Sequence, residues 1–289
     1  MTKLPYYLVN VFAETHFGGN PLAVFTNAAM LNDTQMQAIA KQFNLSETVF
    51  IQPSNDDHVV ANLRIFTPNY EMPFAGHPTL GASFVLSQLN NLPDQFIINT
   101  QAKAVHIHRD DVQIFLTISG FEVTPCQVSQ AYLTDICQIN SNKINYLGYF
   151  ANSGTTQFLL QLDSLDDLLH AKIDLIKLQE LFAKHCPDTS AEPSIYLWYQ
   201  DEYCEEIIHS RMLFEQDGIF IEDTGTGSAC ANLGAYLIHQ GLTPTRKTIH
   251  QGDHLGRANR LYLNIDTAQN IQVGGRVVMV GTGELWLDG

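Results

Sequence analysis

The sequence predicts an α/β (α+β) protein of two similar halves, each a mostly antiparallel or mixed sheet wrapped around one buried central helix. Three observations predict it. Two Gly-containing turns, Ala75-Gly76-His77-Pro78 and Asp223-Thr224-Gly225-Thr226-Gly227-Ser228, each lead into a segment of small and apolar residues that reads as a buried helix. A strand–turn–strand signal lies upstream of each turn, at residues 7–25 and again at 146–162. β-rich runs follow each helix, at 97–118 and at 261–287. Two copies of one supersecondary plan imply a pseudo-twofold protein. The two helix N-termini are then expected to face each other at the interface of the halves, a favoured place for a ligand pocket.

Composition sets the broad class. The 289 residues are 45% hydrophobic and 16% charged, which suits a soluble globular chain able to build a core without disulfides or a structural metal. Fifteen Lys plus Arg stand against 30 Asp plus Glu, a net charge of −15. That balance argues against a nucleic-acid partner and against binding to an anionic membrane surface. The five cysteines are odd in number and form no Cys-x-x-Cys pair, which fits a reduced, cytoplasmic setting. The N-terminus carries one Lys and no long apolar run, so no signal peptide is expected. No window approaches the ~20 apolar residues of a membrane span.

In chain order, Tyr7–Phe12 and Leu22–Phe25 read as strands joined by Phe17-Gly18-Gly19-Asn20-Pro21. A hairpin there needs no function; Asn20 is the residue able to project amide donors into a cleft. Residues 33–43 have helical spacing at Met36, Ile39, Ala40 and Phe43, with Asn32 or Asp33 as cap. Thr48–Ile51 is a buried strand with Glu47 at its entry. Such a carboxylate is ordinarily a solvated strand end. Held against apolar walls, it gains the raised proton affinity that a general acid/base uses. Val59–Phe66 is a strand, and Pro78 suits the first position of the next helix, which would put His77 at the cap. Three strands follow, 97–100, 104–108 and 112–118. His106 and His108 alternate with apolar residues on the second, without a third ligand at metal-binding spacing, so no metal site is expected.

From about Gly120 to Asn145 the pattern weakens. A boundary there gives domains 1–125 and 126–289, with return of the last strand, about 277–289, to the first domain as the alternative. Beyond it come strands at 146–150 and 157–162, helices at 164–169 and 173–184, strands at 194–199 and 206–214, and an apolar run from Gly218 that ends in Glu222 and Asp223. The helix Ala229–Ile238 stops at Gly241, and strands 261–265, 271–280 and 284–287 close the chain.

The chemistry these residues allow is narrow. Glycines before a helix start leave backbone N–H groups free to grip an anion, aided by the helix dipole. Glu47, His77 and Asp223 are titratable groups that could sit at the rim of such a site. No Gly-x-Gly-x-x-Gly, phosphate loop or His-Glu-x-x-His occurs, which leaves acid–base chemistry without a cofactor.

Val9-Asn-Val-Phe12 with Gly19-Asn20-Pro21-Leu-Ala-Val, Leu45-Ser46-Glu47-Thr48-Val-Phe, Phe66-Thr-Pro68…Glu71…Ala75-Gly76-His77-Pro78-Thr79, Glu222-Asp223…Thr226-Gly227-Ser228-Ala, Gln251-Gly252…Gly256-Arg257 and Val273-Gly-Gly275 together resemble the PhzF-like, phenazine-biosynthesis-type isomerases. The resemblance spans essentially the whole chain. It implies a diaminopimelate-epimerase-like fold, a homodimer, no cofactor, and a proton-transfer isomerisation of a small carboxylated substrate. By the same resemblance, Glu47 is the proton shuttle, and His77 and Asp223 hold and polarise the substrate. Asn20, Gly76, Gly227 and Ser228 then surround the bound carboxylate, while Glu222 serves the supporting strand. The family usually reads Glu-Asp-Pro-x-Thr-Gly where this chain has Glu222-Asp223-Thr224-Gly225-Thr226-Gly227. The related two-thiol racemases carry Cys where this chain has Ala75 and Thr224, so a thiol pair is not expected. Two other readings are an epimerase or racemase of an amino-acid-like acid, and a non-catalytic metabolite-binding module.

Overall fold

The computed structural model describes residues 2–139, 144–216 and 218–287. It is a mixed α/β structure with eighteen strands and six α-helices among those residues. The chain divides into two compact units, Met1–Thr117 with Gly274–Gly289, and Ile118–Val273.

In the first unit, β1 (Thr2–Val11) and β2 (Asn20–Phe25) are antiparallel, with Val11 opposite Asn20. Gly19 closes this hairpin at φ +77°, and a Cβ there would strike the Val11 carbonyl oxygen. Helix α1 (Asp33–Phe43) starts at a reciprocal capping box between Asn32 and Gln35. Strand β3 (Thr48–Gln52) lies parallel to β2, β4 (Ala61–Phe66) antiparallel to β3, and the two-residue β5 (Glu71–Met72) antiparallel to β4. After α2 (Gly76–Leu89), β6 (Gln95–Asn99) runs parallel to β4, and β7 (Ala104–Arg109) and β8 (Ile114–Ile118) follow antiparallel. The closing strand, Val277–Leu287, pairs antiparallel with β1.

Helix α2 touches β1, β2, β3, β4 and the closing strand. Nine of its residues are buried, from His77 to Leu86, so it is a core element rather than an amphipathic cover. At Gly81 side chains of β1 and β2 press against the helix; a Cβ there would overlap the Leu22 side chain. α1 packs with Phe25, Phe50 and Phe66, with the Phe25 and Phe50 rings stacked at 5.1 Å. Buried on both faces, β2 and β3 are nearly continuous apolar runs instead of alternating ones.

The second unit follows the same plan after an added opening, β9 (Glu122–Cys126) and α3 (Gln130–Cys137). β10 (Gly148–Asn152) and β11 (Thr156–Gln161) form the hairpin. Helices α4 (Leu165–His170) and α5 (Leu175–His185) stand where the first unit has only α1. β12 (Ser194–Gln200) is parallel to β11, β13 (Ile207–Gln216) antiparallel to β12, and β14 (Ile219–Asp223) antiparallel to β13. After α6 (Gly227–His239), β15 (Thr245–Gln251) is parallel to β13, β16 (Asn259–Ile265) is antiparallel to β15, and β17 (Ile271–Gly275) follows. Strand by strand, this pairing order repeats that of β1 to β7. Helix α6 packs on β9, β10, β11 and β16, and Gly234 admits Leu263 and Ile271 against its backbone.

Four expectations need correction. Helix α2 begins at Gly76 with Ala75 as its N-cap (φ −149°, ψ 139°), so His77 is the second helical residue and not the cap. Pro78 sits third, where a missing N–H costs nothing because first-turn donors have no intrahelical partner. The weak region contains β9 and α3; β9 carries Pro125 and is largely exposed, which hid it. β15, Thr-Arg-Lys-Thr-Ile-His-Gln, is too polar to read as a strand, yet it is paired on both sides and buries Ile249 and Gln251. The expected strands 271–280 and 284–287 divide elsewhere: β17 ends at Gly275 and the closing strand runs unbroken from Val277 to Leu287, with Gly283 beneath the Tyr6 ring where a Cβ has no room.

Candidate active site

In the first unit, Glu47 immediately precedes β3 and His77 lies in the first turn of α2. The two side chains meet, with His77 Nε2 3.4 Å from Glu47 Oε2. Both are largely enclosed, their side chains 7% and 15% exposed. Burial pushes the His77 imidazole down to about 3, partly opposed by a hydrogen bond from the ring to the Pro21 carbonyl oxygen. The ring is therefore neutral near pH 7, and the contact with Glu47 is not a resting salt bridge. With Nε2 making no hydrogen bond of its own, the bond to Pro21 assigns the ring proton to Nδ1 and a lone pair to Nε2. A proton taken up on Glu47 Oε2 finds that lone pair as an acceptor. Asn20, beside Pro21 at the head of β2, is 1% exposed, and Gly76 opens α2, whose N-cap makes no side-chain bond to the first-turn N–H groups.

In the second unit, Asp223 ends β14 and α6 begins four residues later. Thr226 Oγ1 donates to Asp223 Oδ2 at 2.6 Å, a short charge-assisted bond. Gln251 braces the turn. Its Nε2 donates to the Asp223 carbonyl oxygen and to Thr226 Oγ1, both at 2.9 Å, and its Oε1 accepts from the Thr226 N–H at 3.2 Å. Gly225 is required here, because a Cβ would overlap the Asn259 side chain. These contacts fix the turn without the Pro that the Glu-Asp-Pro-x-Thr-Gly pattern would supply. Thr226 caps α6 without a side-chain bond to its N–H groups, so those of Gly227 and Ser228 keep their capacity to bind an anion. Cys230 is fully buried and its burial raises the thiol far above its usual range, which makes it a poor acid/base.

Each unit carries a cation–carboxylate pair behind its turn, more enclosed at Arg211–Glu222 than at the half-buried Arg64–Glu71. Arg211 on β13 grips Glu222 on β14 with two bonds of 2.8 Å, donates to the Leu168 and Ala171 carbonyl oxygens at 2.9 Å, and His254 Nε2 lies 2.7 Å from Glu222. Arg64 on β4 grips Glu71 on β5 in the same way and also reaches Asp33. Glu222 is thus committed to structure, whereas its neighbour Asp223 points to the turn.

The structure brings Glu47, His77, Gly76 and the Asn20-Pro21 step together in one unit, and Asp223, Gly227 and Ser228 together in the other. His106 stands exposed between buried Val105 and Ile107, an ordinary strand face. Sequence reading assigned no role to Thr226, Gln251 or Gln157, whose Nε2 donates to Ser228 Oγ at 3.1 Å. The internal repeat carried the signal for Gln157. Asn10 pairs with Pro21 and Ala151 with Gln157, one step before the hairpin end in each unit. His77 and Ser228 are each the second residue of their helix, so the Pro21–His77 contact corresponds to the Gln157–Ser228 contact.

The sequence profile described as "Phenazine biosynthesis-like protein", PhzC-PhzF, matches residues 9–283. An uncharacterized isomerase of Pasteurella multocida is 42% identical over 288 residues, covering 99% of this chain and 96% of that protein. The trans-2,3-dihydro-3-hydroxyanthranilate isomerase of Pseudomonas aeruginosa is 29% identical over 291 residues, covering 98% and 99%. The crystal structure of a PhzF-family phenazine biosynthesis protein of Bacillus anthracis superposes with a TM-score of 0.84 at 22% identity, covering 99% of this chain and 100% of that one.

Proposed function

Because the chain belongs to the PhzC-PhzF family of phenazine biosynthesis-like proteins, we propose that this isomerase moves a proton within a small carboxylated metabolite by carboxylate general acid/base catalysis. Glu47 removes a proton from a substrate carbon and returns one elsewhere on the same molecule. The observation that carries this reading is the Glu47–His77 pair, in which an enclosed carboxylate faces a neutral imidazole 3.4 Å away. An uncharged His77 places no positive charge beside Glu47. In the second unit, the N–H groups of Gly227 and Ser228 form a subsite for a carboxylate, with Asp223 oriented at the same turn by Thr226. The substrate named for the Pseudomonas aeruginosa relative, a ring bearing a carboxylate, has the features such a site takes.

The test is Glu47→Gln, which keeps the side-chain shape and removes the base. It is expected to fold as the parent and to lose about 10²–10⁴-fold in turnover. Incubation of the parent with trans-2,3-dihydro-3-hydroxyanthranilate in D₂O should place deuterium in the isomerised product, and the variant should do so about 10²–10⁴-fold more slowly. Deuterium incorporation by Glu47→Gln at the parental rate would sink the mechanism. Deuterium at a stereocentre with loss of optical activity and no double-bond shift would assign the chain to epimerisation instead.

A further inference from the structure

The second unit contains a chain of buried amides whose direction can be read without ambiguity. Asn232 on α6 is fully buried, Gln157 is 2% exposed and Ser153 is 5% exposed. Amide oxygen and nitrogen are ordinarily assigned from their partners, and here one partner is a backbone carbonyl, which can only accept. Asn232 Nδ2 lies 2.9 Å from the Thr155 carbonyl oxygen, so this atom is the nitrogen. Its second N–H donates to Gln157 at 2.8 Å, so Gln157 presents Oε1 there. Ser153 Oγ donates to the remaining Asn232 oxygen at 2.7 Å. Gln157 must then turn Nε2 toward Ser228, whose Oγ accepts at 3.1 Å. Each link is forced by the one before it.

The end of the chain has a chemical consequence. A hydroxyl that accepts from Gln157 still has its own proton to give, and among the described residues Ser228 Oγ makes no other hydrogen bond. Ser228 is partly exposed while the network behind it is closed. We propose that Gln157, held by Asn232, is a positioning residue that makes Ser228 a dedicated hydroxyl donor toward the ligand and so sets a preference for a carboxylate over the matching carboxamide. This rests on reading Gly227–Ser228 as the carboxylate subsite. With the Gly227 and Ser228 N–H groups, the Ser228 hydroxyl makes three donors at the head of α6. A carboxylate, an acceptor at both oxygens, satisfies them all, whereas a carboxamide turns one NH₂ against them. Rejection then comes from donors left without an acceptor, the strongest form of polar discrimination.

Gln157→Glu is the sharpest test because it keeps volume and packing. The carboxylate it introduces still accepts from Asn232 but has no N–H to donate, so Ser228 must give its proton to that carboxylate instead of to the ligand. Gln157→Leu removes the link without adding charge. Binding of 3-hydroxyanthranilate and of its carboxamide, aromatic analogues of the relative's named substrate, would be measured by titration calorimetry on the full chain. Gln157→Glu, Gln157→Leu and Ser228→Ala should each reduce the carboxylate-over-carboxamide ratio by about tenfold. The double variant Gln157→Leu/Ser228→Ala should lose little more. Ser153→Ala, which deletes a bond but leaves the Thr155 carbonyl to set direction, should keep the parental ratio. The positioning role is overturned if both Gln157 variants weaken the two ligands equally, or if the losses multiply in the double variant; the subsite reading survives that result. If Ser228→Ala leaves carboxylate binding unchanged, or the parent shows no preference for the carboxylate, the subsite reading falls and this inference with it.

Discussion

At the scale of single residues, adjacent carboxylates in this protein have opposite fates, decided by what faces them. Glu222 is saturated by Arg211 and His254, and the Arg211 guanidinium also satisfies two backbone carbonyls. Asp223, one position on, alternates to the other side of β14, where the Thr226 hydroxyl and the Gly225 N–H orient it at the turn. The distinction predicts separate phenotypes. Arg211→Met leaves Glu222 with His254 alone, in a site where Arg211 is 8% exposed, and removing one partner of a buried pair costs up to about 3–5 kcal/mol. The related Arg64→Met should cost less, because the added partner Asp33 is 82% exposed and its contribution is screened by water. Urea unfolding of the two variants would measure the difference, and a larger loss for Arg64→Met would contradict the assignment.

At the scale of elements, the two central helices are what the sequence made plainest, because burial on all sides leaves a run of small and apolar residues unlike that of any surface helix. Their starts were less plain. The Gly-His-Pro signal pointed to a cap at His77, and only backbone geometry puts the cap at Ala75. Strand β15 was invisible because its identity comes from pairing with β13 and β16 and not from its own residues. The candidate site was legible in the same uneven way. Glu47, His77, Asp223 and Ser228 stand in recognisable motifs, whereas Gln157 and Asn232 lie 75 positions apart and acquire a role only when β11 and α6 pack together. Close packing of helix on strand also predicts a cost. Gly81→Ala drives a methyl into Leu22, and overpacking of this kind costs about 1–3 kcal/mol. In Gly234→Ala the nearest atoms are Ile271 Cγ2 and Leu263 Cδ1 at 3.0 Å, ends of side chains that can give way. Thermal unfolding should show the larger drop for Gly81→Ala, and equal drops would mean the α2 core is looser than its contacts imply.

At the scale of the whole molecule, the net charge of −15 and two enclosed histidines, one buried and one half-buried, pull stability in opposite directions as pH falls. Acidification lowers the overall negative charge, which relieves self-repulsion, but exposed charges are spread out and screened by salt. His77 and His250 act locally. Burial holds His77 down to about 3, and burial, Arg260 and His209 hold His250 down to about 4. An unfolded chain protonates both near pH 6.5. Between the folded and unfolded values the unfolded state therefore binds more protons, and stability falls as pH is lowered through that window. A fully buried histidine loses at most about 1.4 kcal/mol per pH unit below 6.5, so His77 accounts for roughly 2 kcal/mol between pH 6.5 and 5. His250, only partly enclosed, contributes less. Carboxylates held low, such as Asp188, Asp201 and Asp266, lose their contribution only below about pH 4, outside that interval. The local effect should win, and the urea midpoint of the parent should drop steadily from pH 7 to 5. In His77→Asn, whose amide can still donate to the Pro21 carbonyl but does not titrate, the drop should shrink by most of the His77 share. A variant with the parental pH slope would show that His77 is already accessible to protons in the folded state, and the neutral partner assigned to Glu47 would have to be given up.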